Sequence, residues 1–250
     1  MINLSVVDHV GTLTIDRPKA NALSAELIAQ LSEQLDAIES DPAIKVVLIK
    51  GEGKFFSAGA DIKEFTSRSA AELEQQSHDT HQVFNRIEQL SVPVIALIKG
   101  AALGGGLELA MSCHIRLSTI EAQLGLPEIK LGVMPGYSGI RRLKSYIGTA
   151  KALEMVLTGQ SVNGSEAEVL GLITKVFSTE DEMNRYAEQL SRTIAGHSKD
   201  SITGIMTVNA AEDAFAGDQT EAQLFGKIFD TNNAKEGIDA FISKRQPDFK

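Results

Sequence analysis

VIALIKGAALGGGLELAMSC, residues 94–113, is the stretch from which the fold can be worked out. The short apolar run from Val94 to Ile98 predicts a buried strand, and the apolar segment from Leu107 to Cys113 predicts a helix. Three successive glycines precede that helix, so backbone N–H groups are left uncovered by side chains at a helix N-terminus. Such a place stabilises a developing negative charge.

Glu108 is the one charged residue of the helical segment, where its neighbours are leucine, alanine and methionine. A carboxyl group in apolar surroundings tends to have a shifted pKa, which a catalytic acid or base requires. Another interpretation stays open, in which the glycines form only a tight turn and Glu108 points to solvent or caps the helix. The glycine spacing matches neither the GxxxxGK phosphate-binding loop nor the dinucleotide fingerprint GxGxxG.

The bulk composition limits the class of protein. The chain has 250 residues, 43% of them hydrophobic, which is enough for one large domain or one domain with a smaller appendage. No apolar run is long enough to span a membrane, and the first residues show no secretory signal. The single cysteine, Cys113, excludes an internal disulfide and a cysteine-based zinc site, so we expect a cytoplasmic protein.

The charge distribution bears on the partner. A net charge of -9 argues against nucleic acid as the main partner, although a local cluster of Lys and Arg can still bind an anionic substrate. Arg141, Arg142 and Lys144 are predicted to form one such local basic face.

Strands and helices alternate along the first part of the chain. Residues 2–16 predict two strands of a half-buried hairpin, a helix is expected after its N-cap Ser24, and residues 45–50 predict a buried strand. Because this strand–helix–strand order returns at Val94, the sequence predicts an α/β fold. After Thr179 the pattern is helical only, with three or four helices that we expect to pack on the core or on a neighbouring subunit.

Two further stretches contain unusual loops. In KFFSAGADIKEF, residues 54–65, small side chains would let a ligand approach the main chain, unless this is an ordinary turn. In LGLPEIKLGVMPGYSG, residues 124–139, the single acid Glu128 has apolar neighbours, although an acid at a helix start after proline is common.

A polar helix is predicted between these two stretches. The capping box of Ser69 and Glu72 begins it, and it extends to about Leu90. We interpret His78 and His81 as solvated residues of this helix, with metal binding a minor alternative because no third ligand is evident.

The stretches at residues 54–65, 94–113 and 124–139, in this order and at this spacing, closely resemble the enoyl-CoA hydratase/isomerase family, the crotonase superfamily. The resemblance extends from RPKANALS, which begins at residue 17, to EGIDAFISKRQPDF near the end. It implies an α/β fold of the crotonase type, a spiral of repeated ββα units with a C-terminal helical domain.

The same resemblance implies a division of the chain and an assembly. We expect a core with the acyl-CoA site over residues 1–190 and a helical trimerisation region over residues 191–250. The assembly implied is a homotrimer or a homohexamer.

The resemblance also implies which residues act. Glu108 and Glu128 match the two glutamates that hold the reacting water, and the N–H groups of Ala60 and Gly105 match the oxyanion hole. We assign Glu108 to activation of the water and Glu128 to protonation of C2. No metal and no cofactor is expected, since coenzyme A is part of the substrate. The residues implied in binding the acyl-CoA are Ala58, Asp61, Ile62, Lys63, Gly136, Arg17, Lys19 and Lys244.

Because both glutamates are present, the resemblance favours an enoyl-CoA hydratase of the kind used in fatty-acid β-oxidation. It would add water reversibly to the 2,3 double bond of a 2-enoyl-CoA and give a 3-hydroxyacyl-CoA. An enoyl-CoA Δ-isomerase and a methylglutaconyl-CoA hydratase are the alternatives within the fold. A catalytically silent protein that binds acyl-CoA or RNA is the alternative from another class. A hydrolase built on Cys113 and His114 is disfavoured, because adjacent helix residues point about 100° apart.

Overall fold

The computed structural model describes residues 1–211 and 213–249, with only the backbone described at residue 214. Within these residues the strands are β1 (Ile2–Val7), β2 (Val10–Ile15), β3 (Val46–Gly51), β4 (Val94–Ile98), β5 (Ala101–Leu103), β6 (Ile115–Thr119), β7 (Gln123–Gly125), β8 (Ser161–Asn163) and β9 (Lys175–Phe177). The helices are α1 (Ala25–Ser40), α2 (Ile62–Phe65), α3 (Ala70–Gln89), α4 (Gly105–Ser112), α5 (Gly139–Ile147), α6 (Thr149–Thr158), α7 (Gly164–Val169), α8 (Glu180–Ala195), α9 (Lys199–Asn209), α10 (Ala214–Phe229) and α11 (Asn232–Ile242). A 3₁₀ helix, Pro127–Leu131, lies between β7 and α5.

The larger sheet of the described chain has the strand order β1-β2-β3-β4-β6-β9. β1 and β2 form the predicted antiparallel hairpin, and each later neighbour pair is parallel. β4 is buried at every residue because helices cover both faces of the sheet. Leucines and isoleucines of α1 and α3 pack on one face, and Met183 and Ala187 of α8 pack on the other. The α/β organisation predicted from the sequence is confirmed.

A smaller sheet, β5-β7-β8, was not predicted, because three-residue strands are too short to show an alternating pattern. It begins where the chain turns sharply after β4, at Gly100 with φ +63°. A Cβ at Gly100 would overlap the carbonyl oxygen of Lys54, so only glycine fits this turn. The turn places β5 and then α4 beyond the carboxyl end of β4.

The helix starts near the site follow the predicted signals. Ser24 caps α1 by accepting a hydrogen bond from Leu27 N at 3.2 Å. The capping box of Ser69 and Glu72 opens α3. α4 begins at Gly105, two residues earlier than predicted, because the last two glycines of the run adopt helical conformation.

The C-terminal part is helical, as predicted, and consists of α8 to α11. The predicted domain boundary at residue 190 falls inside α8, which packs on the sheet, so α9 to α11 are the helices that lie wholly beyond it. The division into two domains stays a prediction. None of the described helices is long and apolar enough to cross a membrane.

Candidate active site

A cavity of about 470 Å³ opens beside the N-terminus of α4. Its walls come from the loop before α2, from α2 and α3, from the start of α4, and from the 3₁₀ helix with the loop that follows it. Its polar and charged side chains are Gln76, Ser77, Glu108, Glu128, Lys130 and Tyr137. Its larger apolar side chains are Ile62, Phe65, Leu73, Leu131, Val133 and Met134. The cavity therefore brings two carboxyl groups into a mostly apolar space.

The glycine run at residues 104–106 allows segments to meet closely at this end of α4. Gly104 has φ +52°, which L side chains rarely adopt, and a Cβ there would lie 2.9 Å from Glu128 Oε1. A Cβ on Gly106 would overlap the carbonyl oxygen of Ser57. The tight turn considered from the sequence and the cavity are thus parts of one arrangement.

The backbone amides of Ala60 and Gly105 lie side by side at the cavity wall. A Cβ built on Gly105 would be 3.3 Å from Ala60 N, and both residues line the cavity. On either side of Ala60, Leu23 N donates a hydrogen bond to Gly59 O and Asp61 N donates one to Leu23 O. The N–H group of Ala60 takes no part in this pairing. Among the described residues neither the Ala60 nor the Gly105 N–H donates a hydrogen bond. Two free, fixed donors of this kind can stabilise an oxyanion.

Glu108 lies inside the protein, with 1% of its surface exposed, so the alternative of a solvent-facing side chain is wrong. Its Oε1 accepts hydrogen bonds from Tyr137 N and Gly139 N, both at 2.8 Å. Burial raises the pKa of Glu108 to about 7, the negative charge of Glu128 adds to the rise, and the two backbone donors oppose it. A carboxyl group with a pKa near 7 can both accept and release a proton at neutral pH.

Glu128 is the second residue of the 3₁₀ helix, directly after Pro127. Its Oε2 is buried and has no hydrogen-bond partner in the described chain. Burial raises the pKa of this carboxyl group as well. Since burial raises both pKa values and the charge of Glu128 also raises that of Glu108, the pair favours a state with a single negative charge.

Arg142 fixes the loop that holds Glu108. Its Nη1 donates to Tyr137 O at 2.8 Å, and its Nε donates to Glu88 Oε1 at 2.8 Å. The predicted basic face is wrong at this position, because Arg142 is buried and its charge is neutralised by Glu88. Arg141 also pairs with Glu88, at 3.2 Å.

Three of the residues predicted to bind the acyl-CoA, Ala58, Ile62 and Gly136, line the cavity. Asp61 lies next to it, where it caps α2 by accepting a hydrogen bond from Lys63 N at 3.2 Å. The carboxylate of Asp61 pairs with Arg17 at 2.6 Å, and this guanidinium holds the pKa of Asp61 below its usual value. Arg17 therefore anchors the loop that carries the Ala60 amide.

Lys19, Lys63 and Lys244 are exposed and do not belong to the residues that line the cavity. Lys244 lies in the tail after α11. Their contacts with a phosphate-bearing ligand stay predictions.

Tyr137 is a cavity residue that sequence analysis missed. Its ring packs on the start of α4, since a Cβ on Gly105 would lie 3.3 Å from two of its ring carbons. It also meets the ring of Phe84 edge to face, with 6.1 Å between centroids. The available signal was a single aromatic residue in a loop of small residues, directly after Gly136.

Cys113 and His114 do not form a nucleophile and its base. Burial raises the pKa of the Cys113 thiol to about 12, and its Sγ donates to Leu109 O. His114 Nδ1 accepts from Val94 N, so its Nε2 carries the hydrogen and donates to Glu88 O. The described residues contain no group of three His, Cys, Asp or Glu that could hold a metal ion.

Comparison with known proteins gives similarity over the whole chain. Residues 6–250 match the family described as enoyl-CoA hydratase/isomerase. The probable enoyl-CoA hydratase of Bacillus subtilis (strain 168) is 44% identical, over 100% of this chain and 98% of that protein. The mitochondrial enoyl-CoA hydratase of Pongo abelii is 38% identical, over 96% of this chain and 83% of that protein. The crystal structure of an enoyl-CoA hydratase from Bacillus anthracis has a TM-score of 0.94 and 32% identity, over 100% of this chain and 98% of that chain.

Proposed function

The chain belongs to the enoyl-CoA hydratase/isomerase family and has its crotonase fold, and we propose that it is an enoyl-CoA hydratase. It adds water reversibly to the 2,3 double bond of a 2-enoyl-CoA thioester and releases a 3-hydroxyacyl-CoA. One observation carries the proposal: the buried carboxyl group of Glu108 and the half-buried one of Glu128 share a cavity with two adjacent backbone N–H groups that have no described acceptor.

The two amides hold the thioester oxygen. As water adds to C3, the electrons of the double bond move toward the carbonyl group, and its oxygen gains negative charge. The N–H groups of Ala60 and Gly105 donate to that oxygen, helped by the N-terminal dipole of α4. Loss of one such donor typically costs about 3 kcal/mol of transition-state stabilisation.

The two acids move the protons. Glu108 accepts a proton from water as the oxygen attacks C3, and Glu128 gives its proton to C2. The family resemblance implies this division, and the two N–H donors to Glu108 Oε1 support the role of Glu108 as the base because they favour its ionised form. After one turnover the proton lies on Glu108, and exchange with solvent restores the starting state.

We propose that coenzyme A enters along the loop of residues 58–63. Ala58 begins a small-sided main chain there, Asp61 and Ile62 follow it, and Lys63 adds an exposed cation. Lys19 and Lys244 are proposed to meet its phosphates, Lys244 from a neighbouring subunit.

The proposed reaction needs no cofactor. Two carboxyl groups supply both proton transfers, and two amides stabilise the charge that develops, so coenzyme A takes part only as a piece of the substrate. Dialysis against a chelator is expected to leave the rate unchanged. We also propose a cytoplasmic protein, in keeping with its single, buried free thiol.

A homotrimer or homohexamer is proposed from the surface of the last helices. α9 and α10 pack on each other and leave Ile205, Phe225 and Phe229 exposed around a groove of about 430 Å³. An apolar surface of this kind on a soluble enzyme needs a covering partner, and a second copy supplies one. Light scattering after gel filtration measures the mass.

The test of the proposed function is turnover of crotonyl-CoA, followed at the absorption band of the conjugated enoyl thioester. A hydratase removes the conjugated bond, so the absorbance falls. An isomerase leaves crotonyl-CoA intact and instead generates the band from a 3-enoyl-CoA. A silent binding protein shows calorimetric binding of crotonyl-CoA with no change in the band.

A further inference from the structure

We propose, on the basis of the hydratase function above, that Tyr137 and Gln76 select acyl groups with an acceptor oxygen beyond the reacting carbons. The ligand chemistry is a carboxylate or carbonyl oxygen on the acyl chain, recognised by two neutral hydrogen-bond donors in a mostly apolar cavity.

Tyr137 brings a free hydroxyl group to the cavity. The residue is 6% exposed and lines the cavity, and its hydroxyl makes no hydrogen bond within the described chain. Its oxygen is also not among the fully buried atoms without a partner, so it reaches open space. The charges of Glu108, Glu64, Arg68 and Glu128 all act on the pKa of the phenol. The hydroxyl therefore lies within electrostatic range of the two acids and of the ion pair beside α2.

Burial and the nearby carboxyl groups raise the pKa of Tyr137 to about 12, so the phenol stays protonated and acts as a donor. Its ring is held in place on one side by Gly105 and on another by Phe84. A donor on a fixed ring loses little conformational entropy when it binds an acceptor.

Gln76 supplies the second donor. This residue is also 6% exposed. It lies on α3, where it lines both this cavity and a groove between α1 and α3. Its Oε1 accepts from Arg68 Nη1 at 3.0 Å, which fixes the orientation of the amide. Its Nε2 donates to no residue of the described chain and is left for a ligand.

Arg68 and Glu64 stabilise this end of the cavity. Arg68 Nη2 lies 3.3 Å from Glu64 Oε2, which also accepts from Ala25 N at 3.0 Å. Arg68 and Glu64 thus balance each other's charge, and Arg68 holds the Gln76 amide in one orientation. This arrangement leaves the amide N–H₂ group to face an acceptor oxygen.

An unsubstituted alkyl chain would leave both donors buried without a partner, at a cost of about 1–3 kcal/mol each. A chain with an acceptor oxygen at the right position satisfies them. The apolar Phe65, Leu73 and Leu131 offer no acceptor, and the carboxyl groups of the cavity act at the reacting carbons. Selectivity therefore comes from the hydroxyl and the amide.

The experiment compares substrates matched in length. The kcat/KM values of 2-hexenedioyl-CoA and 2-hexenoyl-CoA, which differ in a terminal carboxylate or methyl group, give a selectivity ratio, and the eight-carbon pair gives a second. In Tyr137→Phe and in Gln76→Met the larger of the two ratios is expected to fall about tenfold, the fold-change of one hydrogen bond to a charged group. The methyl esters of the same acids show whether a neutral carbonyl oxygen is enough.

Tyr186→Phe is the matched control, because Tyr186 lies on α8 and does not line the cavity. Its ratios are expected to equal those of the unchanged protein. Equal ratios in Tyr137→Phe and the unchanged protein would overturn the proposal, since a merely structural role lowers both rates together.

A binding measurement separates this proposal from the proposed function. Calorimetry with the saturated adipoyl-CoA and hexanoyl-CoA, and with their eight-carbon counterparts, needs no turnover. A preference for the carboxylated thioester that Tyr137→Phe abolishes supports the selection even if no enoyl-CoA is hydrated. The absence of any preference contradicts it even if crotonyl-CoA is hydrated.

Discussion

The start of α4 and the helices α9 to α11 differ in which side chains they bury and which they expose. At α4 every residue is buried, including the ionisable Glu108. In α10 and α11 large aromatic side chains are left outside, with Phe225 73% and Phe241 85% exposed. At α4, burying the ionisable Glu108 costs free energy. At α10 and α11, exposing large aromatic rings to water costs free energy.

This difference distinguishes the active site, which one chain can form by itself, from the C-terminal helices, which leave apolar side chains exposed. Around α4 this chain itself supplies the N–H groups of Tyr137 and Gly139 that donate to Glu108, and the Arg142 guanidinium that holds their loop. The last helices have an apolar surface that the described residues do not cover. We infer that the chemistry is built within a subunit and that the C-terminal surface serves assembly.

The largest expected effect on this comparison comes from removing an ionisable carboxyl group from the active site beside α4. Glu108→Gln and Glu128→Gln are each expected to lower the turnover of crotonyl-CoA by 10² to about 10⁴, the usual contribution of a general acid or base. Absorbance at the enoyl-thioester band measures it. Glu74→Gln, on the exposed face of α3, is the control with the same chemical change. Near-normal turnover in either active-site variant contradicts the assignment.

A second variant tests whether the active site depends on the close packing that the glycine run at residues 104–106 allows. In Gly106→Ala the new Cβ would overlap Ser57 O and displace the loop that carries the Ala60 amide. Turnover is expected to fall by about 10², as for loss of an oxyanion donor. Gly226→Ala in α10 has open space for its Cβ and should be neutral or up to about 1 kcal/mol stabilising. Equal kinetics in the two variants would show that the close approach at Ser57 is unimportant.

The pH dependence sharpens the comparison, because an exposed glutamate titrates at about pH 4.3 and only a buried carboxyl group titrates near neutrality. The pKa of Glu108 is about 7, so kcat/KM for hydration is expected to fall tenfold per unit as the pH drops below that value. A profile that stays flat from pH 8 to pH 5 would contradict the role of Glu108 as the base.

The burial of Glu108 is also expected to make the free energy of unfolding depend on pH. Burial raises the pKa of Glu108 from 4.5 to about 7, so within this window the folded chain holds a proton that the unfolded chain has released. Folding stability therefore falls as the pH rises from 4.5 to 7, and Glu108→Gln removes this fall. At pH 8 the free energy of unfolding is expected to be larger in the variant, by on the order of 3 kcal/mol. Denaturant titrations at pH 5 and pH 8 measure it. A variant less stable than the parent at pH 8 would contradict the account.

The smallest expected effect is on the other region. Phe225→Ser is expected to lower the oligomer mass measured by light scattering at low protein concentration. Val169→Ser is the matched control, since Val169 is 88% exposed on α7, outside the last helices. A parent chain that is monomeric at every concentration would remove the proposed role of this surface.

Much of this could be predicted from the sequence. The hairpin of β1 and β2, the caps at Ser24 and Ser69, and the glycine run beside Glu108 all give local signals that the structure bears out. Three stretches in register were enough to predict the family, which the comparisons confirm. Local patterns suffice here because each depends on residues close together in the chain.

Other features depend on contacts between distant residues, and no local pattern shows those. Arg142 reads as a surface cation until Glu88, 54 residues away, is placed beside it. The strands β5, β7 and β8 are too short for periodicity. Tyr137 gains its position only when α4 and the loop after the 3₁₀ helix come together at Gly105.

The division of labour between the two acids can be measured directly by deuterium exchange at C2 of butyryl-CoA in D₂O, followed by NMR. This saturated thioester takes up no water, so exchange requires only the two amides and the Glu128 carboxylate, which takes the C2 proton, exchanges it with D₂O and returns a deuteron. The account predicts exchange in the parent chain and in Glu108→Gln, and loss of exchange in Glu128→Gln. Exchange that survives in Glu128→Gln and is lost in Glu108→Gln would contradict it.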